Sequence, residues 1–186
     1  MEWRDKLSVE FEICEITALE ADALMCPISI QLEEYGKISQ KVLRLGGTGL
    51  AQELQKAKAA LPEGKMLLGD SCVIELSDEC AIGTYDHLIL TALWDRQSEY
   101  TKNLFYNAYL TAFRASIDRN LVSLVVPVMG YDGNLPTSST ALLQVINDLG
   151  ALANAGDFTL VDICVVSSNE NHIEYLRSHI EPAIYR

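Results

Sequence analysis

The chain has 186 residues, 49% of them hydrophobic, and a formal net charge of −12 at pH 7. This length and apolar content suit one folded domain, residues 1–186, and exclude a disordered chain. The acidic balance argues against a nucleic-acid partner, because binding along a phosphate backbone requires a basic face.

The start of the chain, MEWRDK, is too charged to open a signal peptide. No apolar run approaches the length that spans a membrane. We therefore expect a cytoplasmic protein without a membrane partner. The five cysteines show no CxxC spacing, so the sequence predicts neither a metal site nor a cofactor, and the cysteines are expected to be small buried side chains.

The first half of the chain alternates between strand and helix patterns. Residues 7–16 alternate as a half-buried strand does, and residues 23–26 form a second short apolar run that Pro27 is expected to end. From Lys37 the apolar residues recur at helical spacing. Gly46-Gly47 is expected to stop this helix, and a second helix is predicted from Leu50 to Ala57.

The second half repeats the alternation with more apolar strands. Strands are predicted at residues 66–68, 72–74, 87–93, 121–129 and 159–166. Helices are predicted at residues 100–117, 137–149 and 170–180, the first with aromatic residues four positions apart. This order predicts a three-layer α/β/α fold with a mixed central sheet.

The apolar run 121–129 ends abruptly in Gly130-Tyr131-Asp132-Gly133-Asn134. A loop of this kind follows the carboxyl end of a buried strand, which is where α/β sheets bind ligands. Turn chemistry alone also explains Asp132 and both glycines. We expect a ligand site here if the protein has one.

The motifs and their order resemble those of the macro domain family. Cys14-Glu15-Ile16-Thr17 leads to Asp22-Ala23-Leu24-Met25-Cys26-Pro27-Ile28-Ser29 at the family's spacing, and Tyr35-Gly36-Lys37 stands where the family has a glycine-rich loop. Pro62-Glu63-Gly64 and Val126-Pro127-Val128-Met129-Gly130 match two further family segments. The resemblance covers about residues 8–180 and implies a macro-domain-like fold.

The resemblance also implies a pocket for ADP-ribose or a related nucleotide. Glu15 takes the place of the acid that holds the adenine amino group, and Ser29 replaces the asparagine that holds the distal ribose. The two glycine loops are the family's diphosphate cradle, in which missing side chains let backbone N–H groups approach the phosphates. The candidate ligand-binding residues are Glu15, Ile16, Ser29, Gly36, Lys37, Gly130, Tyr131, Asp132, Gly133 and Asn134.

Three functions remain open at the level of sequence. The first is nucleotide binding without turnover. The second is a degenerate macro fold that serves as a protein-interaction module, which the acidity and the Tyr35 ring favour. The third is an ADP-ribosyl hydrolase that uses Asp132, and it ranks last because the family's hydrolase residues are not matched. We assign no catalytic residue.

Overall fold

The computed structural model describes residues 7–80, 82–96, 99–130, 132–153, 159 and 162–185. Its centre is a six-stranded sheet in the order β1-β6-β5-β2-β4-β3. All neighbouring strands are parallel except β3, which pairs antiparallel with β4 at one edge. The strands are β1 (Ser8–Ile13), β2 (Ala23–Ser29), β3 (Ser71–Glu75), β4 (His87–Trp94), β5 (Ser123–Pro127) and β6 (Asp162–Ser167). The predicted mixed α/β architecture is confirmed.

Helices cover both faces of this sheet. One side carries α1, which packs on β2 and β3, and the other carries α2 and α3, which also pack on each other. Close to the edge strand, α4 packs on β1 and β6. The helices are α1 (Gly36–Ala60), α2 (Lys102–Ile117), α3 (Leu135–Ala153), α4 (Glu170–His179) and α5 (Glu181–Ile184).

Alternate side chains of the central strands pack into two separate hydrophobic cores, one on each face of the sheet. In β2, Met25 points to the core beneath α2 and α3, whereas Leu24 and Cys26 point to the core beneath α1. All seven residues of β2 are buried. This is the expected pattern for a parallel strand with helices on both faces, and it explains why β2 has no polar alternation in its sequence.

Of two predicted boundaries in the first half, one is wrong and one is confirmed. Pro27 does not end β2, which continues to Ser29. Pairing with β5 stops at Leu24, so further along β2 only the side facing β4 needs a full hydrogen-bond ladder and a proline is tolerated there. The predicted interruption at Gly46-Gly47 is present, because the backbone of Gly47 is not helical and divides the segment Gly36–Ala60 at a kink. Gly47 has φ 55° and ψ −144°, and the helical path resumes and runs to Ala60.

Other predicted boundaries of strands and helices differ from those in the structure. Residues 66–68 are not a strand, because Gly69 turns the chain there with φ 87° and donates its N–H to the Ala92 carbonyl. Leu67 is consequently 75% exposed. Helix α3 begins at Leu135, two residues earlier than predicted. The last strand is described from Asp162; residues 160–161 of the predicted strand lie outside the described residues.

A side chain of α4 and the residue that follows α5 cover the free edge of β1. The Tyr185 hydroxyl accepts the N–H of Val9 and donates to its carbonyl. Arg177 donates to the Phe11 carbonyl. An edge strand whose backbone groups are satisfied in this way is protected from pairing with another chain. Within the described residues, none of the helices is both long and apolar enough to cross a membrane.

Candidate functional site

A cleft of about 910 Å³ opens at the carboxyl ends of the parallel strands. One wall consists of Cys14, Glu15 and Ile16, which follow β1, and the opposite wall is the first half of α1. The floor comes from Pro127 and Val128 at the end of β5 and from Val166 to Ser168 at the end of β6. The cleft therefore lies at the carboxyl edge of the sheet, and its described lining does not include Gly130, Gly133 or Asn134 of the second predicted loop.

Three cationic side chains of α1 line this cleft. Lys37, Lys41 and Arg44 are spaced by four and three residues, so they share one face of the helix over about 10 Å. Among the described residues they outnumber the carboxylates that line the cleft, those of Glu15 and Glu34. In a protein with a net charge of −12, this is a local concentration of positive charge.

The Glu15–Ile16 turn is held in place from behind. Tyr85 is 5% exposed, and its hydroxyl donates to the Ile16 carbonyl. The turn is also closed by the Ala18 N–H, which donates to the Glu15 carbonyl over 2.9 Å. Glu15 points its carboxylate at Lys41, whose ammonium donates to Oε2. Both predicted residues, Glu15 and Ile16, thus line the cleft.

The segment between β2 and α1 folds back on Ser29 in a closed turn. Ser29 is fully buried, and its hydroxyl accepts the N–H of Glu33 over 3.0 Å. The Ser29 N–H donates to the Glu33 carbonyl over 3.1 Å. Leu32 adopts a left-handed φ of 58° to complete this turn, with its side chain buried. Ser29 therefore supports the loop, and it is not among the described residues that line the cleft.

Aromatic stacking fixes the Tyr35 ring beside this loop. The ring stacks on Trp94 with centroids 5.5 Å apart and on Tyr100 with centroids 6.5 Å apart. Tyr100 in turn stacks on Phe105 at 5.9 Å. The described residues that line the cleft do not include Tyr35. The next two predicted residues begin α1: Gly36, with φ 73°, and Lys37, which lines the cleft.

The second predicted loop rests on the inner face of α2. Gly130 has φ 97°, and a Cβ there would lie 3.4 Å from Phe105 Cζ and 3.3 Å from Asn134 Cβ. Beneath it, the buried Tyr109 hydroxyl bonds the Ser138 hydroxyl over 2.9 Å. Asp132, Gly133 and Asn134 form a 3₁₀ turn that leads into α3. Tyr131 and the side chain of Asp132 lie outside the described residues.

The only thiol that lines the cleft within the described part of the chain is Cys14. Burial raises its pKa above the usual 9.0, and the carboxylates of Glu12 and Glu15 raise it further. A thiol with a raised pKa is protonated at neutral pH, and this makes it a poor nucleophile. Cys14 is therefore a wall residue of the cleft, and it is only partly buried, whereas the sequence predicted buried cysteines.

Sequence reasoning missed most of the cationic wall. Lys37 was predicted because it follows Gly36, but Lys41 and Arg44 were not. Their signal was present in the sequence as the 37, 41, 44 spacing on a predicted helix. A charged stripe of this kind is usually a solvated face, so the spacing becomes informative only when the fold places that face beside strand ends.

The strand order, the antiparallel edge strand, the helices on both faces and the cleft at the strand ends together define the macro-domain fold, and the fold predicted from the motifs is confirmed. The chain resembles solved macrodomains over nearly its whole length. The Oceanobacillus iheyensis macrodomain solved with ADP has a TM-score of 0.77 at 16% identity and covers 97% of this chain and 94% of its own.

Two further solved macrodomains resemble this chain, with lower TM-scores and lower sequence identity. The macro domain of ganglioside induced differentiation associated protein 2 has a TM-score of 0.71 at 14% identity, covering 94% of this chain and 84% of its own. The Trypanosoma brucei macrodomain in complex with ADP has a TM-score of 0.70 at 12% identity, covering 92% and 67%. No family model and no curated protein matches the sequence. Identity this low establishes the fold alone.

Proposed function

We propose that this chain binds an adenine nucleotide of the ADP or ADP-ribose type in the cleft, without chemical turnover. The observation that carries the proposal is the cationic face of α1, formed by Lys37, Lys41 and Arg44, at the carboxyl ends of the strands. Three cations along one wall of a cleft favour an anion inside it, even in an acidic protein. Diphosphate is an anion of suitable length for that wall.

The dimensions and lining of the cleft support the proposal. Small-molecule sites typically measure about 300–1,000 Å³, and this cleft has about 910 Å³. Apolar side chains of Ile16, Ile38 and Val128 line it together with the charged ones. Such a combination offers a surface for a flat base and donors for phosphate oxygens.

The ligands bound in the structural neighbours also support an adenine nucleotide as the class of ligand. The Oceanobacillus iheyensis macrodomain was solved with ADP and, as a point mutant, with ADPR, and the Trypanosoma brucei macrodomain was solved with ADP. The protein-interaction alternative is not favoured, because it gives no reason for a cationic cleft at this position. We assign no turnover because the described side chains of the cleft offer no identified pair of acid and base.

Calorimetric titration with ADP-ribose and ADP tests the proposal. Because even a Kd of ~1 mM corresponds to about −4 kcal/mol, heat and a thermal shift at millimolar ligand are expected. Lys37→Met should weaken binding about fivefold, the effect of ~1 kcal/mol of charge interaction near a surface. Lys56→Met is the matched control, since Lys56 lies in the same helix but pairs with Glu53 away from the cleft.

Two results would refute the proposal. One is the absence of heat and thermal shift with both nucleotides. The other is an equal loss of affinity in Lys37→Met and Lys56→Met, because it would assign the effect to overall charge rather than to the cleft wall.

A further inference from the structure

The cleft stops partway along the carboxyl edge of the sheet. Its floor and one wall come from the ends of β1, β6 and β5, whereas the ends of β2 and β4 contribute nothing to its described lining. Neighbouring strands lie about 4.8 Å apart, so the open part spans about 10 Å across three strand ends. The next strand end along the sheet is that of β2, where Ser29 and Glu33 form their closed turn.

Four aromatic rings form one continuous stack at the ends of β2 and β4. Trp94 is the last residue of β4, and Tyr35, which precedes α1, stacks on it with the ring planes 12° apart. Tyr100 stacks on both Tyr35 and Phe105. Phe105 lies against Gly130 in the segment after β5, where a Cβ would be 3.4 Å from Phe105 Cζ. This aromatic stack therefore reaches from the segment before α1 to the segment after β5.

The position of the aromatic stack is set by the core. Phe105 is fully buried beneath α2, and stacked rings attract one another beyond the area that they bury. The backbone of Tyr35 is also held, because its N–H donates to the Ser39 hydroxyl and its carbonyl accepts from the same hydroxyl. Ser39 is itself fully buried. A ligand that reaches the aromatic stack therefore meets a fixed wall.

The phosphate end of a bound nucleotide faces this wall. Lys37 is the first cation of the cationic face of α1, and it follows Tyr35 by only two residues. Ile16, an apolar surface for the base, lies in the turn after β1, and β1 is at the far edge of the sheet from β2. A nucleotide whose base lies beside Ile16 therefore carries its phosphates toward Lys37 and the aromatic stack.

We propose that the aromatic stack ends the site after the diphosphate, so that the chain selects nucleotides that end in a phosphate. Nucleotides that carry a second sugar beyond the diphosphate are disfavoured, because the rings of Tyr35 and Trp94 lie where that sugar would extend. ADP-ribose differs from ADP by a ribose on the terminal phosphate, and this ribose meets the Tyr35 ring. The inference rests on the proposed function and names the class of nucleotide that the site accepts.

The test compares ADP with ADP-ribose by titration calorimetry on the full chain. The wild-type chain should bind ADP at least about tenfold more tightly, and Tyr35→Ala should reduce this ratio about tenfold. Tyr35→Phe keeps the ring and should keep the ratio. Tyr175→Ala is the matched control, because it removes a tyrosine that stacks on His179 in α4. The extra negative charge of ADP is the same in every variant, so the change in the ratio measures the effect of the ring.

The outcomes separate this inference from the proposed function. If the wild-type chain binds ADP and ADP-ribose equally, or if a folded Tyr35→Ala keeps the wild-type ratio, the aromatic wall is overturned while nucleotide binding stands. If the wild-type chain binds neither ligand, both are overturned. A urea midpoint shows which variants are folded. Should Tyr35→Ala not fold, Tyr35→Val replaces it, because a β-branched residue suits the extended backbone at this position (φ −146°, ψ 105°).

Discussion

Removing the Tyr85 hydroxyl tests whether its hydrogen bond to the Ile16 carbonyl stabilises the Glu15–Ile16 turn. In Tyr85→Phe the Ile16 carbonyl loses its buried donor, and a buried polar group left without a partner costs about 1–3 kcal/mol. Tyr85 is 5% exposed, so water does not readily replace the lost bond. We expect a lower urea midpoint with an unchanged m-value and weaker nucleotide binding, because the turn carries Glu15.

Tyr106→Phe is the matched control for this substitution. It deletes the same atom, but the Tyr106 hydroxyl donates to Asp148 at an exposed position over 2.8 Å. Surface substitutions typically change the free energy of unfolding by less than about 0.5 kcal/mol. If Tyr85→Phe destabilises the protein no more than Tyr106→Phe does, the Ile16 turn is not held by this bond and the reasoning fails.

Two further predictions concern the second loop and the buried thiol of β2. Gly130→Ala should destabilise the protein by about 1–2 kcal/mol in urea unfolding, because a left-handed backbone is costly for an L residue. Gly133→Ala is the control, since a Cβ there meets no described atom within 4 Å beyond its chain neighbours. An equal loss in both variants would contradict the prediction. Burial raises the pKa of Cys26 from 9.0 to about 12, so above pH 9 the unfolded chain loses a proton that the folded chain keeps, and stability falls as pH rises. Cys26→Ala should reduce this slope by up to about 1.4 kcal/mol per pH unit, and an unchanged slope in urea unfolding at increasing pH would refute it.

The fold could be predicted from the sequence where the local pattern of apolar residues matches the face that is buried in the folded protein. The four-residue spacing of Phe105, Tyr109 and Phe113 predicted α2 because the same side chains that define the helical period also form its buried face. The prediction failed at Pro27, where the pairing of β2 with β5 had already ended and the strand could continue through a proline. At Gly47 the local preference of the glycine prevailed, and the helix is interrupted there as predicted.

The site was harder to predict from the sequence, because its contacts join residues that are far apart in the chain. The stacking of Tyr35 on Trp94 and the bond from Tyr85 to Ile16 exist only once β4 and its neighbours are in place. The resemblance to the macro domain family identified Glu15, Ile16 and Lys37, which line the cleft. The same resemblance gave Ser29 a ligand role that the structure does not support directly. The Ser29 hydroxyl is engaged with Glu33, and its contact with a ligand stays a prediction.

The turn that Ser29 and Glu33 close and the cationic face of α1 together determine how the site can hold phosphates. A glycine loop holds phosphate through backbone N–H groups that approach closely. Here Ser29 and Glu33 close the turn, and the Tyr35 ring is stacked beside it, so side-chain cations on α1 are the described groups best placed to hold the phosphates. Long flexible side chains attract an anion from a distance but fix its position less firmly than a backbone cradle does. We therefore expect the cations of α1 to contribute more to the attraction of a nucleotide than to the discrimination between one phosphorylated ligand and another.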